Sequence, residues 1–366
     1  MSMSRDPLLG DFSFEKSDKI CYEPSTDSTD RKTQDYLIYF LPGNPGLIQY
    51  YQPFLSRLNT LLSSSSTTES SRFHICGHTL RGFESAQDGK KTKAPRYPLG
   101  LEQQIESQEQ LLYNHIKSHR ERTGNNPKVI LMGHSVGCYI LLELIQQHRG
   151  KIEGEGEEDF DLIGGILLFP TITHIAKSPL GMVFGKILQL PYFPEIVGTI
   201  AKALSSLVPE SFLHRLVKLV TRFPEYAATT TTSFIKSPMG VRQALHLAKD
   251  EMTKITDDQW DEEVWGAATS KGTNNRDTAN SNLTFYWGKK DRWVATHTRD
   301  ALIAARGHLS NSQTESGSEY WKPVMMVDNE GMPHDFCTTL RNSHSVAGKV
   351  KGWVDGIIEA HSKEIS

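Results

Sequence analysis

Short runs of apolar residues recur along the chain, separated by segments in which the apolar residues have helical spacing. Continuous apolar runs are typical of strands that are buried on both faces of a sheet. The runs lie at 36–41, 73–78, 128–132, 163–169, 283–287 and 324–327, and the helical segments lie at 50–62, 100–119 and 136–148. This alternation predicts an α/β fold with a mostly parallel central sheet flanked by helices on both faces. Residues 19–22 are a candidate for an additional antiparallel edge strand.

The alternation stops between residues 169 and 283, and the first part of this stretch is unusually apolar. Residues 171–223 contain repeated Pro and Gly, and 177–222 carry six Lys or Arg against two Glu, a net charge of +4. This composition predicts a helical cap inserted into the α/β core. The predicted division is an N-terminal extension with the edge strand at 1–30, core at 31–170, the cap at 171–265, and core again at 266–366.

Within the cap, residues 201–223 combine helical spacing of apolar residues with positive charge. The apolar positions are 204, 207, 208, 212, 216, 219 and 220, and the basic positions are 202, 215, 218 and 222. An amphipathic helix of this kind lies at a lipid surface, with its apolar face inserted among the lipids. The same pattern also fits a cap helix packed over an active site. The two interpretations are compatible, and we expect contact with lipid droplets or membranes through 171–223.

The segment Gly133-His134-Ser135-Val136-Gly137 matches the pattern G-x-S-x-G between a predicted strand and a predicted helix. This context is the one that a nucleophile elbow requires, because the serine hydroxyl then stands above the sheet at a helix N-terminus. The flanking glycines avoid clashes in the tight turn. The sequence therefore predicts Ser135 as a catalytic nucleophile.

A nucleophilic serine needs a base and an orienting acid, which in this architecture follow it along the chain. Asp291 comes a few residues after the strand 283–287, and His334 lies on the loop after 324–327. We predict Asp291 as the acid and His334 as the base. Asp328 and Asp335 are the nearest competing acids, but their closeness to the base in sequence does not provide the required hydrogen bond.

The site also needs donors for an oxyanion. One is the backbone N–H of the residue after the nucleophile, here Val136, and the other comes from a loop after an early strand. The strand 36–41 continues directly into Pro42-Gly43-Asn44-Pro45-Gly46. Proline has no N–H to donate. We therefore predict Asn44 as the second backbone donor.

Composition restricts the remaining function classes. The 366 residues have a formal net charge of −3, which gives no electrostatic reason to expect a nucleic-acid partner. The sequence contains no HExxH, P-loop or strand-linked G-x-G-x-x-G pattern, so we expect no metal and no cofactor. It also contains neither the apolar core of a signal peptide nor an uninterrupted apolar stretch of about 18 residues.

Four cysteines are scattered along the chain without a CxxC pair, at positions 21, 76, 138 and 337. This spacing argues against a disulfide framework or a structural zinc site. We expect all four to be reduced and mostly buried, as in a protein that faces the cytosol.

Taken together, these motifs resemble those of the lipid-droplet-associated hydrolase family. PGNPG followed by a Tyr-Tyr helix, and LLFPT followed by SPLG, are more specific than the elbow alone. The matching segments lie in the same order at 41–58, 133–140, 167–181, 285–294 and 332–336. The resemblance implies an α/β-hydrolase fold and a triad of Ser135, Asp291 and His334. It also implies association with lipid droplets and the endoplasmic reticulum on the cytosolic face, and turnover of sterol esters and neutral lipids.

Three functions compete at this point. The first is a serine esterase or lipase, a carboxylic ester hydrolase that cleaves sterol esters or acylglycerols through an acyl-enzyme. The second is a protein that organises droplet or membrane surfaces and has a weak or vestigial hydrolase site. The third, an esterase for small polar esters, is disfavoured by the apolar cap. The sequence does not indicate an oligomeric state.

Overall fold

The computed structural model describes residues 14–24, 33–64, 71–84, 97–153, 160–266, 282–307 and 323–365. Within these ranges the strands are β1 (Lys19–Tyr22), β2 (Gln34–Leu41), β3 (Ser71–His78), β4 (Lys128–His134), β5 (Leu162–Leu168), β6 (Leu283–Trp287) and β7 (Val324–Val327). They form one seven-stranded sheet in the order β1-β3-β2-β4-β5-β6-β7. The edge strand β1 pairs antiparallel with β3, and every other pairing is parallel. The predicted α/β fold and the antiparallel edge strand are confirmed.

From β2 onward, the helices in the described ranges alternate with the strands, except in one long insertion. They are α1 (Gln52–Ser63), α2 (Leu101–Thr123), α3 (Val136–Glu153), α4 (Pro179–Leu188), α5 (Phe193–Leu207), α6 (Glu210–Thr221), α7 (Glu225–Lys236), α8 (Gly240–Lys254), α9 (Glu262–Trp265), α10 (Thr296–Arg306) and α11 (Leu340–Ile365). Short 3-10 helices span Ile48–Tyr51, Ile175–Lys177 and Phe336–Thr338. Helices α4 to α9 lie between β5 and β6 and form the predicted inserted cap.

The hydrophobic core is centred on the middle strands of the sheet. From Ile38 to Leu41, β2 is fully buried, because helices cover both faces of its continuous apolar run. Helices α1 and α11 pack against each other on the sheet. The large aromatic residues Phe54 and Phe336 meet edge to face in this layer, with ring centroids 5.4 Å apart.

The amphipathic stretch predicted at 201–223 is not one helix. Helix α5 ends at Leu207 and α6 begins at Glu210, and the two axes differ by 116°. Pro209 explains the break, because it lacks an N–H and forces the preceding Val208 into an extended conformation with ψ 128°. Lys236 of α7 holds the corner by donating to the carbonyl oxygen of Ser205 at 2.8 Å and to that of Val208.

The cysteine prediction is wrong for one pair. Cys21 of β1 and Cys76 of β3 form a disulfide, while Cys138 and Cys337 are free and buried. The antiparallel register places Cys21 directly opposite Cys76, with their Cα atoms 4.3 Å apart. A separation of 55 residues in sequence conceals this proximity, which depends on the register of the edge strand. Of the extension predicted at 1–30, the structure describes residues 14–24, which include β1.

Candidate active site

Ser135 occupies a sharp turn between β4 and α3. Its φ of 54° lies in the left-handed region, which a non-glycine residue adopts at a strained position. The flanking glycines make the turn possible. A Cβ on Gly133 would lie 2.6 Å from the carbonyl oxygen of Gly137, and a Cβ on Gly137 would overlap the Leu41 carbonyl. The turn therefore presents the Ser135 hydroxyl at the C-terminal edge of the sheet, at the N-terminus of a helix.

The structure brings Ser135, His334 and Asp291 together from three different loops. The Ser135 hydroxyl oxygen lies 2.9 Å from Nε2 of His334, and Nδ1 of His334 lies 2.7 Å from Oδ2 of Asp291. The Asp291 side chain is 2% exposed and that of His334 is 15% exposed. In this geometry the serine hydroxyl donates to the imidazole while the opposite ring N–H donates to the buried carboxylate. That is the arrangement that a serine nucleophile requires.

Asp291 and His334 follow the adjacent parallel strands β6 and β7, which explains how residues far apart in sequence meet. The second carboxylate oxygen of Asp291 accepts the backbone N–H of Trp293 at 2.8 Å, which fixes the orientation of the acid. The competing acid Asp328 is committed elsewhere, since it accepts the Tyr286 hydroxyl at 2.5 Å and the Met332 N–H at 2.7 Å.

Of the two predicted oxyanion donors, Asn44 lines the cavity that contains Ser135, and Val136 directly follows Ser135. Val136 is buried at the first position of α3. The Asn44–Pro45 peptide bond is cis. The Asn44 side chain donates to the carbonyl oxygen of Ala244 at 3.0 Å and to Oε1 of Glu251 at 2.9 Å. Helix α8 of the cap therefore holds the loop that carries the expected oxyanion donor.

His134, which precedes the nucleophile, connects that loop to the loop of His334. Its Nε2 donates to the backbone carbonyl oxygen of His334 at 2.9 Å. Burial and the neighbouring His334 lower the pKa of His134 well below its usual value, so the ring is neutral and Nδ1 is an acceptor. The Tyr51 hydroxyl donates to this Nδ1 at 2.7 Å and accepts the Gly43 N–H at 3.0 Å. One continuous hydrogen-bond chain thus runs from Gly43 to His334.

Glu251 is a buried carboxyl group in the same cavity. Burial raises its pKa to about 8, while the hydrogen bond from Asn44 opposes this increase. Its carboxyl group is therefore largely protonated at neutral pH. A neutral group at this position leaves the space beside Asn44 free of a negative charge.

The cavity at Ser135 has a volume of about 290 Å³. It lies between the core loops and the cap and has a partly apolar wall, to which Ile175, Phe223, Met252 and Trp293 contribute. Trp293 also stacks against Phe184 of α4, with ring centroids 6.1 Å apart, and Phe184 is 41% exposed. The apolar wall of the cavity is therefore continuous with the outer surface of the cap.

Hydrogen bonds tie the cap to all three sides of the site. The N–H of Leu180 donates to the carbonyl oxygen of Arg292, next to Asp291, at 3.0 Å. The Tyr226 hydroxyl donates to the carbonyl oxygen of Cys337, near His334, at 2.7 Å. With the bonds from Asn44 to α8, these contacts make the position of each site loop dependent on the cap.

Sequence reasoning did not find Tyr51 or Glu251. Tyr51 could have been suspected from the Tyr-Tyr pair that follows PGNPG, although nothing in that pair shows which hydroxyl faces the site. Glu251 has no recognisable motif, since its role depends on how α8 docks on Asn44.

The amino-acid sequence is similar to those of a known protein family. A family model described as lipid-droplet associated hydrolase matches residues 34–337. Among curated proteins, the lipid droplet-associated hydrolase of Rattus norvegicus is 24% identical, with 87% of this chain and 85% of the relative covered. The Mus musculus protein of the same name is 26% identical over 87% of this chain and 84% of its own length.

Solved structures support the fold at low sequence identity. A haloalkane dehalogenase from Bradyrhizobium elkani has a TM-score of 0.52 at 11% identity and covers 94% of this chain and all of its own. A peroxisomal α/β-hydrolase from Saccharomyces cerevisiae has a TM-score of 0.51 at 12% identity, with 98% of this chain and 87% of that chain covered. The sheet order, the elbow and the inserted cap agree with an α/β-hydrolase fold. Because the family model covers most of its length, the chain belongs to the lipid-droplet associated hydrolase family.

Proposed function

We propose that the protein is a serine-dependent carboxylic ester hydrolase that cleaves lipid esters, such as sterol esters or acylglycerols, at the surface of lipid droplets. The observation that carries the proposal is the hydrogen-bonded series of Ser135, His334 and Asp291, at 2.9 and 2.7 Å, beneath a cap with an apolar exterior. The family name supports the hydrolase class and the droplet location. We extend the location to the cytosolic face of the endoplasmic reticulum.

The proposed reaction proceeds through an acyl-enzyme. Ser135 attacks the ester carbonyl while His334 accepts the hydroxyl proton, and Asp291 stabilises the resulting imidazolium. The backbone N–H groups of Asn44 and Val136 hold the oxyanion. His334 returns the proton to the departing alcohol. Water, activated by the same imidazole, then releases the fatty acid.

The apolar lining of the cavity favours a lipid ester over a small polar one. Its volume of about 290 Å³ is at the lower end for pockets that enclose drug-sized ligands. A cavity of this size holds the ester group and part of an acyl chain. The remainder of a sterol ester or acylglycerol would stay outside, along the apolar path from Trp293 to Phe184.

The cap carries a large apolar surface that suits contact with lipid. Large apolar side chains that are more than a third exposed are concentrated on α4, α5, α6 and their connections. They are Met182, Val183, Phe184, Ile187, Leu190, Tyr192, Ile196, Ile200, Leu204, Leu207, Phe212, Leu216, Leu219 and Val220, and we call them the cap surface. Among the described residues, Tyr97 is the one exposed large apolar side chain outside it. Exposed apolar patches of this extent mark interaction sites, because exposure of apolar surface to water is unfavourable in free energy.

Charge and helix length support attachment at the surface of a lipid layer. The net charge of +4 over 177–222 favours anionic headgroups, while the apolar side chains favour the acyl region. No single described helix has the length and apolar character needed to cross a membrane, although α5 and α6 together meet those criteria across their bend. We infer that residues 171–223 form the lipid-contacting part of the molecule.

Fluorophosphonate labelling tests the nucleophile. We expect the purified protein to be labelled, and Ser135→Ala to abolish the labelling, because the reagent modifies only an activated serine. Ser206→Ala, which removes an exposed hydroxyl on α5, is the matched control and should be labelled as efficiently as the wild type.

Absence of labelling in a folded wild-type protein would contradict the hydrolase proposal. It would favour the second candidate, a protein that organises droplet surfaces with a weak or vestigial site. The observation that supports this second function is the extent of the cap surface, which does not require catalysis.

A further inference from the structure

A group of histidines and cysteines lies between β3 and α2, away from Ser135. Alternate residues of a strand share one face, so His74, Cys76 and His78 project from the same side of β3. Helix α2 covers this side and presents His115 and His119, which are one turn apart. The side chains line a cavity of about 410 Å³ that shares no residue with the cavity at Ser135.

Four side chains at this edge of the sheet are linked by close approaches, the two cysteines to one histidine and that histidine to a second one. They are Cys21, Cys76, His78 and His115, and we call them the Cys2His2 cluster. Nε2 of His78 lies 2.6 Å from Nε2 of His115. The ligand atoms of Cys21, Cys76 and His115 all lie within 4.8 Å of one another. Two sulfurs and two imidazole nitrogens are a donor set that tetrahedral Zn²⁺ prefers in proteins.

We propose that the Cys2His2 cluster binds one Zn²⁺ ion when the disulfide between β1 and β3 is reduced. A dithiol reductant supplies two electrons and two protons, which leaves Cys21 and Cys76 as thiols and the reductant as its own disulfide. Zn²⁺ then binds both sulfurs as thiolates and releases two protons to water, while the two imidazoles donate lone pairs. The bound site has no net charge, which suits its partly buried position.

Zinc binding requires side-chain movements, because His78 contacts His115 but lies outside the group whose ligand atoms are all within 4.8 Å of one another. Zinc bonds of about 2.3 Å to sulfur and 2.0–2.1 Å to nitrogen place tetrahedral ligand atoms about 3.3–3.8 Å apart. The two imidazole nitrogens must therefore separate by about 1 Å from their present contact. The cavity beside them gives space for this movement. Cys21 and His115 are partly exposed, which gives the ion a route of entry.

A second acidic and histidine-containing group nearby is a poorer candidate. Asp35 lies 3.5 Å from Nε2 of His74 and 3.3 Å from Nε2 of His119. Arg72 binds the same carboxylate through two nitrogens, at 2.6 and 2.9 Å. A guanidinium paired in this way repels a cation and occupies the carboxylate oxygens. We therefore assign Asp35 and its histidines to an internal ion-pair network.

The location suggests a structural consequence. Three cluster residues, two on β3 and one on α2, lie on elements of the α/β core, and the fourth lies on the edge strand β1. A metal ion would replace the disulfide as the link between β1 and β3, and would add α2 to that link. Strand β1 would then stay linked to β3 in both states, through the disulfide when the cysteines are oxidised and through the metal ion when they are reduced.

Cobalt substitution tests the site on the full chain. The protein is reduced with a phosphine, which does not compete as a thiol ligand, and titrated with Co²⁺ under nitrogen. We expect thiolate-to-cobalt charge-transfer bands and tetrahedral d–d bands that saturate at one equivalent and disappear on addition of Zn²⁺. The oxidised protein should show neither set of bands.

Variants identify the ligands. The double variant with Cys21→Ser and Cys76→Ser should show no charge-transfer bands. The double variant with His78→Gln and His115→Gln should bind Zn²⁺ at least about 100-fold more weakly, because loss of a residue that only hydrogen-bonds to a metal ligand already costs about 10–100-fold. The pair His74→Gln and His119→Gln is the matched control and should bind zinc with unchanged thiolate bands. Circular dichroism establishes that each variant is folded.

Three results would overturn the proposal. One is the absence of charge-transfer bands in folded, reduced wild-type protein. Another is zinc binding that survives both cysteine substitutions. The third is loss of zinc binding in the control variant with His74→Gln and His119→Gln while the other variants still bind zinc. That result would assign the metal site to Asp35 and its two histidines. None of these results depends on hydrolase activity.

Discussion

Tyr51 and His134 show how residues outside the reacting group determine its geometry. His134 has no free lone pair for catalysis, because its two ring nitrogens are committed to the Tyr51 hydroxyl and the His334 carbonyl. Its contribution is to join the loop of Gly43 to the loop of His334, on two sides of Ser135. The G-x-S-x-G pattern leaves the residue at this position open, so the sequence motif alone does not indicate that role.

Tyr51→Phe should reduce both stability and reactivity. The substitution leaves Nδ1 of His134 and the N–H of Gly43 buried without a partner, which should lower the free energy of unfolding by about 1–3 kcal/mol. The rate of fluorophosphonate labelling should fall as well, because the oxyanion loop and the His334 loop lose their connection. Urea unfolding and labelling time courses measure the two effects.

Tyr50→Phe is the matched control for this substitution. The Tyr50 hydroxyl lies 2.7 Å from that of Thr231, which also bonds to the carbonyl oxygen of Ala227 at 2.7 Å. Thr231 therefore keeps a partner, and we expect a smaller loss of stability and near-normal labelling. Equal labelling rates for Tyr51→Phe and the wild type would rule out a positioning role for the hydrogen-bond chain.

At the scale of elements, the sequence predicted the strands and the existence of the cap well, but not the individual helices of the cap. The strands that were predicted from apolar runs begin and end within two residues of those observed, because a strand buried on both faces needs an unbroken apolar run. The cap lacks such a constraint, since its helices are buried on one side only. Pro209 marked a break that the helical spacing of its neighbours concealed. The Cys21–Cys76 pairing and the contact of Glu251 with Asn44 required knowledge of strand register and helix docking.

Docking of α8 makes stability depend on pH through Glu251. Its pKa is raised from 4.5 to about 8 in the folded protein. At a pH between 4.5 and about 8, the unfolded chain therefore releases a proton that the folded chain retains. Stability therefore decreases as pH rises through this window. Glu251→Gln keeps an oxygen acceptor for Asn44 and removes the ionisation. We expect its melting temperature to exceed that of the wild type by an amount that grows from near zero at about pH 4.5 to a few degrees at about pH 8.

Thermal unfolding monitored by circular dichroism over this pH range measures the effect. Glu106→Gln, which replaces an exposed glutamate on α2, should follow the wild-type curve. A Glu251→Gln curve parallel to the wild type at every pH would show that Glu251 does not retain its proton in the folded state.

The whole molecule has an uneven distribution of charge and apolar surface. Its formal net charge is −3, yet residues 177–222 carry +4 and almost all of the exposed large apolar side chains that the structure describes. An anionic lipid surface therefore attracts one side of the protein and repels the rest. The direction of approach is determined by the electric field before any apolar contact forms.

Flotation with lipid vesicles or phospholipid-coated oil emulsions tests the cap surface. The pair Leu207→Asp and Leu219→Asp should weaken partitioning at least about 100-fold, because it removes two apolar contacts worth about 1.5–3 kcal/mol each. Tyr97→Asp, which changes an exposed aromatic residue elsewhere, should partition as the wild type does. Added salt should weaken binding to anionic surfaces more than to zwitterionic ones. Unchanged flotation of the double variant would locate lipid contact outside the cap surface.

The bend between α5 and α6 determines more than the shape of the cap. A protein that rested on one straight helix could roll about the helix axis, and the mouth of its cavity would sweep through an arc. The axes of α5 and α6 differ by 116°, so the area that the two helices would cover on a lipid surface extends in two directions. The hydrogen bond from Lys236 to Ser205 fixes the angle between them. Rolling about either axis would lift the other helix out of the lipid. With the proposed lipid contact through the cap, the molecule would rest in a single pose, and each substrate molecule would reach Ser135 from the same direction.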